Sequence, residues 1–253
     1  MNLTERQNVN AQYATGANLN RRIGIHEKYS RNKQGFPSWI VSQYKLEPGM
    51  TALELGCGTG SMWRGATLPQ GCRLTLTDLS PGMLEEARRN TAHLPGTDFA
   101  QVDAQDIPFP DGSFDAVIAN MMLYHVPDIS TALREIRRVL KPGGTLYAAT
   151  YGEHGVVEAV AAMLDMALEG NHRFTLQNGR EQLGRVFGQV EMTLYDDALD
   201  VTDPADLVAY LRSMASMQVL TGISDETLMN AFRARMVDGV LHLPKEYGMF
   251  ICR

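Results

Sequence analysis

Cysteine and long apolar segments are both scarce in this sequence of 253 residues. Its three cysteines, Cys57, Cys72 and Cys252, follow no spacing that would indicate a disulfide framework or a zinc site. No apolar run is long enough to span a bilayer, and the first residues lack the basic-then-apolar order of a secretion signal. We therefore expect a cytoplasmic protein with no bound metal and no membrane insertion.

Basic residues are also in short supply, since 23 Lys and Arg face 29 Asp and Glu for a net charge of −6. This balance argues against a broad nucleic-acid interface. Apolar residues make up 44 %, which is enough for a sizeable core. At this length we expect one domain over 1–253, with an N-terminal helical arm at 1–47, a ligand-binding core at 48–152 and, at 153–253, the remainder of the sheet with helical lid insertions. Its oligomeric state is open between monomer and homodimer.

Short apolar segments alternate with helical patterns along most of the chain. This alternation predicts an α/β fold with a doubly wound, mostly parallel sheet. The predicted strands span 53–55, 72–78, 98–103, 113–119, 145–150, 190–199 and 248–252. The predicted helices include short ones within 1–35, then 36–44, 61–68, one from 80, one ending at 140, 155–168, 180–186, 204–214 and 225–236.

Polar or glycine-rich residues follow each of the first four predicted strands. They are the loop 56–60, Asp78, the pair Asp103 and Ala104, and Asn120. The carboxyl ends of parallel strands share one edge of a sheet, and ligands of open α/β sheets bind at that edge. The coincidence at four strands predicts a ligand site there more strongly than any single motif does.

The spacing of the glycines distinguishes between nucleotide ligands. Gly56, Gly58 and Gly60 occupy alternate positions, whereas the dinucleotide fingerprint needs a third glycine where this chain has Ser61. The loop also lacks the lysine that follows a phosphate-binding P-loop. A nicotinamide-dependent oxidoreductase thus stays open as an alternative with less support. For Cys57, within the loop, we expect a packing role.

The two acidic residues suit the sugar and the base of an adenosine. Asp78 can accept hydrogen bonds from both hydroxyls of a ribose. Asp103 can accept one from the exocyclic amine of adenine, while Leu79 and Met83 offer apolar surface to the base. The residues therefore predict an adenosine-containing ligand that needs no phosphate cradle.

Four segments together carry a family resemblance. They are Leu-Glu-Leu-Gly-Cys-Gly-Thr-Gly at 53–60, Asp-Leu-Ser-Pro-Gly-Met-Leu at 78–84, Asp-Ala-Gln-Asp-Ile-Pro-Phe at 103–109 and Leu-Lys-Pro-Gly-Gly at 140–144. In order and separation they resemble the class I S-adenosylmethionine-dependent methyltransferases, in particular the small-molecule branch with ubiquinone- and menaquinone-biosynthesis-like enzymes. The resemblance covers about 48–152. It implies a Rossmann-like, seven-stranded sheet whose last strand is antiparallel, S-adenosylmethionine as cofactor and S-adenosylhomocysteine as product.

The resemblance also implies a role for each motif residue. Glu54 and the loop of Gly56, Cys57, Gly58 and Gly60 would hold the methionine part of the cofactor, and Asn120 would lie under its end. Asp78 would bind the ribose. The adenine would lie between Leu79 and Met83, with its edge on Asp103 and Ala104. After the fourth strand, Asn-Met-Met-Leu-Tyr at 120–124 lacks the Pro-Pro-aromatic sequence typical of adenine-amine methylation.

The sequence names no convincing catalytic base. The weak candidates for this role are His125, His26 and Tyr29. Tyr13 and Tyr124 have still less support. The resemblance implies methyl transfer to an O, N or C atom of a small molecule, enclosed by the arm and by helices at 153–170 and 203–238. A protein that binds the nucleoside without turnover is the alternative from another class. Four methionines of this region, Met214, Met217, Met229 and Met236, suit either core packing or a lid over an apolar substrate.

Overall fold

The computed structural model describes residues 17–166 and 171–253. Within these ranges seven strands form one sheet in the order β3-β2-β1-β4-β5-β7-β6. The strands are β1 (Thr51–Glu54), β2 (Arg73–Asp78), β3 (Thr97–Gln101), β4 (Phe114–Asn120), β5 (Leu140–Tyr151), β6 (Val190–Val201) and β7 (Leu241–Cys252). The first five pair in parallel, and β7 runs antiparallel to both β5 and β6. The predicted seven-stranded, doubly wound sheet with an antiparallel last strand is confirmed.

Helices cover both faces of this sheet. They are α1 (Ala17–Tyr29), α2 (Phe36–Gln43), α3 (Pro81–Asn90), α4 (Ile129–Val139), α5 (Val156–Leu164), α6 (Gly179–Gly184), α7 (Pro204–Arg212) and α8 (Asp225–Arg233), with 3-10 turns at Ser61–Trp63, Leu123–His125 and Ala215–Gly222. On one face α4 buries Leu133 and Ile136 against Val117 of β4. On the other, α2 and α3 bury Trp39 and Ala87 against strands β1, β2 and β4. None of the described helices is long and apolar enough to cross a membrane.

Strands β6 and β7 continue past the end of β5 as a two-stranded ribbon. The last pair between β5 and β7 joins Tyr151 to Tyr247, while β6 and β7 stay paired as far as Val201 and Leu241. The sequence predicts only 248–252 for β7, because Pro244 and the charged residues beside it interrupt the apolar pattern. Pro244 is tolerated because β7 has a single neighbour at that level of the sheet.

A separate hydrophobic cluster forms around the outer part of this ribbon. Leu199, Leu243 and Phe232 are fully buried in it, together with residues of α1, α5 and α7. Met217 is buried there, and the other three methionines of the region are partly buried against the same cluster. These methionines therefore pack a second core, which lies beyond the carboxyl edge of the parallel strands.

The predicted helix at 61–68 is wrong. The structure has a single 3-10 turn at Ser61–Trp63, because Gly65 adopts a positive φ of 75° and Pro69 follows soon after. The later helices are one to five residues shorter than predicted. For example, α5 ends at Leu164 since Asp165 takes a left-handed conformation. The predicted arm is helical at Ala17–Tyr29, and its first 16 residues, with Tyr13, lie outside the described ranges, as do residues 167–170.

Candidate functional site

The glycine loop is shaped by backbone conformations that favour glycine. Gly56, Gly58 and Gly60 have φ values of 65°, 55° and 70°. A Cβ atom on Gly60 would also lie 3.0 Å from Cγ2 of Thr91 and 3.2 Å from Cα of Ala87, so α3 packs directly on the loop. Glycine at this position therefore serves both the turn and the approach of the helix.

Cys57 holds the loop to the neighbouring strand. Its N–H donates to the carbonyl of Thr77 at 2.8 Å, and its side chain is buried in the core beneath the loop. Burial raises the pKa of the thiol well above its usual range, and the carboxyls of Glu54 and Asp78 add to this effect. The thiol is therefore neutral and packed, as its position in the sequence predicts.

Asp78 lies at the end of β2 and faces the loop. Its Oδ2 accepts a hydrogen bond from the N–H of Gly58 at 2.9 Å, and its Oδ1 accepts one from the N–H of Ser80 at 2.8 Å. Burial raises the pKa of this carboxyl, and the backbone hydrogen bonds oppose the rise. A carboxylate offers about four acceptor positions, so Asp78 keeps acceptor capacity for a ribose hydroxyl.

The proposed adenine end lies beside Asp78. The N–H of Val102 donates to the carbonyl of Asp78 at 3.2 Å, which brings Asp103 to the same edge. Oδ1 of Asp103 accepts from the backbone N–H of Gln105 at 3.0 Å. Ala104 is buried in the core. These contacts fix the loop that would present an acceptor and a backbone N–H to the edge of a base.

The two apolar residues proposed for the base differ in exposure. Met83 is 1 % exposed, in the first turn of α3, whose N-cap is Ser80 as the sequence predicts. Leu79 is half-buried, and its carbonyl accepts a hydrogen bond from Nε2 of Gln101 at 2.8 Å. Leu79 therefore offers accessible apolar surface to a base, whereas Met83 is almost wholly buried.

Glu54 sits at the centre of a buried polar cluster. Its carboxyl is 1 % exposed and accepts hydrogen bonds from Nε1 of Trp63 at 2.5 Å and from Nδ2 of Asn120 at 2.9 Å. Nδ2 of Asn120 also donates to the hydroxyl of Tyr44 at 2.7 Å. Burial raises the pKa of Glu54 to about 7, and these hydrogen bonds offset only part of the rise. Sequence reasoning missed Trp63 and Tyr44, although Trp63 is one of only two tryptophans and closely follows the loop.

Two buried polar atoms of this region have no hydrogen-bond partner within the part of the chain that the structure describes. They are Oδ1 of Asn120 and Oγ1 of Thr59. Leaving such an atom unpaired costs about 1–3 kcal/mol. Because Nδ2 of Asn120 is committed to Glu54 and Tyr44, its oxygen is directed to accept from another group. A bound ammonium or hydroxyl would satisfy it, which is the fit expected for an amino-acid ligand.

Backbone strain follows directly after Asn120. Met121 has a φ of 52°, and its N–H donates to the carbonyl of Ala149 at 2.9 Å. A left-handed conformation is costly for methionine, and such residues cluster at functional sites. The strained turn sends the chain away from β4 and leaves the side chain of Asn120 at the edge.

The three weak catalytic candidates lie in different surroundings. His125 lies in the 3-10 turn after β4, with its ring 4.5 Å from that of Tyr124. The hydroxyl of Tyr29 donates to Asp206 at 2.6 Å and so ties α1 to α7. His26 packs edge-on against Tyr210 and Tyr247, with ring centroids 5.7 and 6.0 Å apart.

An ion pair on the β6–β7 ribbon helps to hold the arm to the ribbon. Lys245 and Asp197 form a salt bridge whose two side chains are 1 % and 0 % exposed. Asp197 also accepts from the hydroxyl of Ser30 at 2.8 Å and from the N–H of Asn32 at 2.9 Å. The arm is therefore bound to the ribbon just beyond α1, which sequence reasoning did not foresee.

The comparisons with known proteins agree with this arrangement. A family profile described as "Methyltransferase domain" matches residues 53–148. The malonyl-[acyl-carrier protein] O-methyltransferase of Erwinia pyrifoliae is 31 % identical over 215 residues, which are 82 % of this chain and 76 % of that protein. The chain belongs to the class I S-adenosylmethionine-dependent methyltransferase family. The demethylmenaquinone methyltransferase of Staphylococcus aureus is 34 % identical over 140 residues, 54 % of this chain and 55 % of that enzyme.

The other similarities either cover only part of a related protein or show only a shared fold. An uncharacterized protein of Streptomyces fradiae is 39 % identical over 116 residues, which cover 45 % of this chain and only 33 % of that protein. Among solved structures, the [4+2]-cyclase SpnF superposes with a TM-score of 0.61 over 98 % of this chain and 96 % of that chain at 21 % identity. A chain from a complex between the Haloferax volcanii Trm112 methyltransferase activator and a methyltransferase superposes with a TM-score of 0.54. The match covers 95 % of this chain and 96 % of that chain, at 22 % identity.

Proposed function

We propose that this methyltransferase moves the methyl group of S-adenosylmethionine to an O, N or C atom of a small molecule. The observation that carries the proposal is the buried cluster of Glu54 and Asn120, in which Oδ1 of Asn120 has no partner among the described residues. The cofactor supplies an electrophilic methyl on a sulfonium, so the protein has mainly to align an acceptor with it.

Different residues at the edge would bind different parts of the cofactor. Glu54 and Oδ1 of Asn120 would accept hydrogen bonds from the ammonium of its methionine part. Asp78 would accept from the ribose while its existing bonds keep the loop in place. Asp103 and Leu79 would receive the base. None of these residues has to bind a phosphate. This agrees with a glycine spacing that differs from that of phosphate-binding loops.

The acceptor would enter between the arm and the β6–β7 ribbon. Asn120 pairs with Ala149 of β5, and Tyr151 and Tyr247 continue the same face of the sheet toward the ribbon. The side chains along this path are mainly aromatic. Together with a net charge of −6, they favour an uncharged or apolar small molecule over a nucleic acid.

Binding of the nucleoside without turnover is the alternative from another class. It is not favoured, because the relatives with a named activity are enzymes. A nicotinamide-dependent oxidoreductase is not favoured, because the matched profile and the named enzyme relatives are methyltransferases.

Incubation with methyl-labelled S-adenosylmethionine and fractionated metabolite extracts tests the proposal. We expect label in a small-molecule fraction and a matching amount of S-adenosylhomocysteine. The variant Asn120→Leu, which removes the buried acceptor, should reduce both. Tight cofactor binding with no product across all fractions would contradict methyl transfer and favour the binding protein.

A further inference from the structure

Strand β6 lies at the end of the sheet, so one side of it has no neighbouring strand among the described residues. Side chains close both ends of this open side. Nδ2 of Asn32, in the arm, donates to the carbonyl of Asp196 at 3.0 Å, and Nη1 of Arg180, in α6, donates to the carbonyl of Val190 at 2.5 Å. The stretch from Val190 to Asp196 is therefore a short open edge between two caps.

The direction of the backbone groups along this edge follows from the pairing of β6 with β7. Gln189 and Arg253 exchange two hydrogen bonds of 3.0 Å, so they are a hydrogen-bonded pair. In an antiparallel ladder such pairs recur at every second residue, and the residues between them direct their N–H and C=O groups away from the partner strand. Between the two caps these residues are Met192 and Leu194, whose four outward groups bond to none of the described residues.

The same two residues expose apolar side chains. Met192 is 40 % exposed and Leu194 is 59 % exposed. Both lie on the face of the sheet that α6 covers, since Met192 pairs with Phe250 and Gly179 of α6 packs on the ring of Phe250. An edge that combines unpaired backbone groups with apolar side chains is a template for a further strand.

The two ends of the edge carry opposite charges. Arg180 and Asp196 are both exposed, and neither forms an ion pair within the part of the chain that the structure describes. Asp196 lies opposite Glu246 of β7, and like charges in that position repel each other. A cation brought beside Asp196 by the added strand would relieve this repulsion.

We infer that the open edge of β6 pairs with the same edge of a second copy of this chain, about a two-fold axis at Thr193. In this antiparallel register Met192 of each copy faces Leu194 of the other, so their outward N–H and C=O groups form four hydrogen bonds across the axis. The apolar side chains of the two residues meet on one face of the joined sheet. The interface is thus isologous, as in most homodimers.

The caps and the charges select both the register and the partner. The two-fold axis sets Val190, and with it Arg180, opposite Asp196 of the second copy, so the same ion pair forms twice. A register shifted by two residues would place an outward N–H against a carbonyl that Asn32 or Arg180 already occupies. The edge is therefore complementary to itself. Since β5 and β7 separate it from β4, this interface does not depend on the proposed methyl transfer.

Sedimentation velocity over a concentration series tests the backbone pairing. We expect the wild type to pass from monomer to dimer as the concentration rises. Leu194→Pro removes an outward N–H that β7 does not use, and with it two hydrogen bonds of the symmetric interface, so it should weaken dimerisation by about tenfold or more. Leu194→Ala, the matched control, shortens the same side chain but keeps the N–H and should weaken dimerisation less.

Exchange of the charges at the ends tests the register. Arg180→Asp sets two carboxylates against each other at both ends of the interface, so it should weaken dimerisation. Adding Asp196→Arg to that variant restores opposite charges and should recover most of the lost affinity.

A wild type that stays monomeric at every concentration would overturn the inference. A dimer that Leu194→Pro weakens no more than Leu194→Ala does would overturn the backbone pairing, and failure of the charge exchange to recover affinity would overturn the register. Circular dichroism and urea unfolding show whether each variant is folded. Leu194→Lys, which places a charge on the edge, replaces Leu194→Pro if the latter is unfolded.

Discussion

The buried carboxyl of Glu54 makes the stability of the protein depend on pH in a way that one substitution should remove. Its pKa is raised to about 7 by burial, and the nearby charge of Asp78 adds to the rise. In the unfolded chain the same carboxyl has a pKa near 4.5. The difference corresponds to about 3 kcal/mol of free energy between the two protonation states.

Whether stability rises or falls with pH depends on which state ionises first, the folded or the unfolded chain. Below about pH 4.5 the carboxyl of Glu54 is protonated in both states, and its contribution to stability is fully present. Between about pH 4.5 and about 7 the unfolded chain ionises first, so the folded state loses stability as the pH rises. Above about pH 7 both states are ionised, and the loss of about 3 kcal/mol is complete.

Urea unfolding of the wild type and of Glu54→Gln, between about pH 5 and about pH 8, measures the pH-dependent contribution of Glu54 to the free energy of unfolding. All other titrating groups are shared, so the difference in unfolding free energy isolates Glu54. We expect the difference to change by about 2–3 kcal/mol in favour of the variant as the pH rises. Glutamine has one acceptor oxygen and so loses a hydrogen bond from Trp63 or Asn120, which adds a constant offset without a slope. A difference that does not vary with pH would show that the pKa of Glu54 is not raised in the folded state.

Two further predictions use matched pairs of substitutions. Gly60→Ala and Gly65→Ala both place a Cβ at positive φ, at a cost of about 1–2 kcal/mol each, but only the former also meets α3. Gly60→Ala should therefore lower the unfolding free energy more and weaken cofactor binding; equal losses would contradict the packing of α3 on the loop. Lys245→Met leaves Asp197 buried without its cation and should cost about 3–5 kcal/mol in urea unfolding. Lys28→Met, from an exposed pair that solvent screens, should cost much less than Lys245→Met, and similar losses would show that the buried pair does not fix the arm.

The parallel core was predictable because local and long-range signals agree there. Each strand before the site is a short apolar run that ends in glycine or a polar residue, and the chain order of strands and helices determines which edges meet. Asp78 and Asn120 lie at the same edge of the sheet in the structure, as the sequence predicts. The sharp turns at Gly56, Gly58 and Gly60 were likewise readable from residue type.

The rest depended on contacts between residues far apart in the chain. Lys245 and Asp197 are 48 residues apart in the sequence, and Tyr29 and Asp206 are 177 apart. No periodic pattern in the sequence predicts either contact. Tyr44 joins the site through a bond to Asn120 from outside the core motifs. The helix predicted at 61–68 failed because a left-handed glycine at position 65 outweighs the helical propensity of its neighbours.

The edge formed by the glycine loop and Asp78 should bind an adenosine attached to methionine. Calorimetric titration of the wild type with S-adenosylhomocysteine and with NAD measures this binding directly, with Asp78→Ala as the comparison. Since Asp78 would hold the ribose and also binds the N–H groups of Gly58 and Ser80, the variant should lose affinity by at least about tenfold. We expect clear binding of S-adenosylhomocysteine, weaker binding of NAD and that loss of affinity in the variant. Tighter binding of NAD, or an unchanged affinity for S-adenosylhomocysteine in Asp78→Ala, would contradict a site for S-adenosylmethionine at this edge.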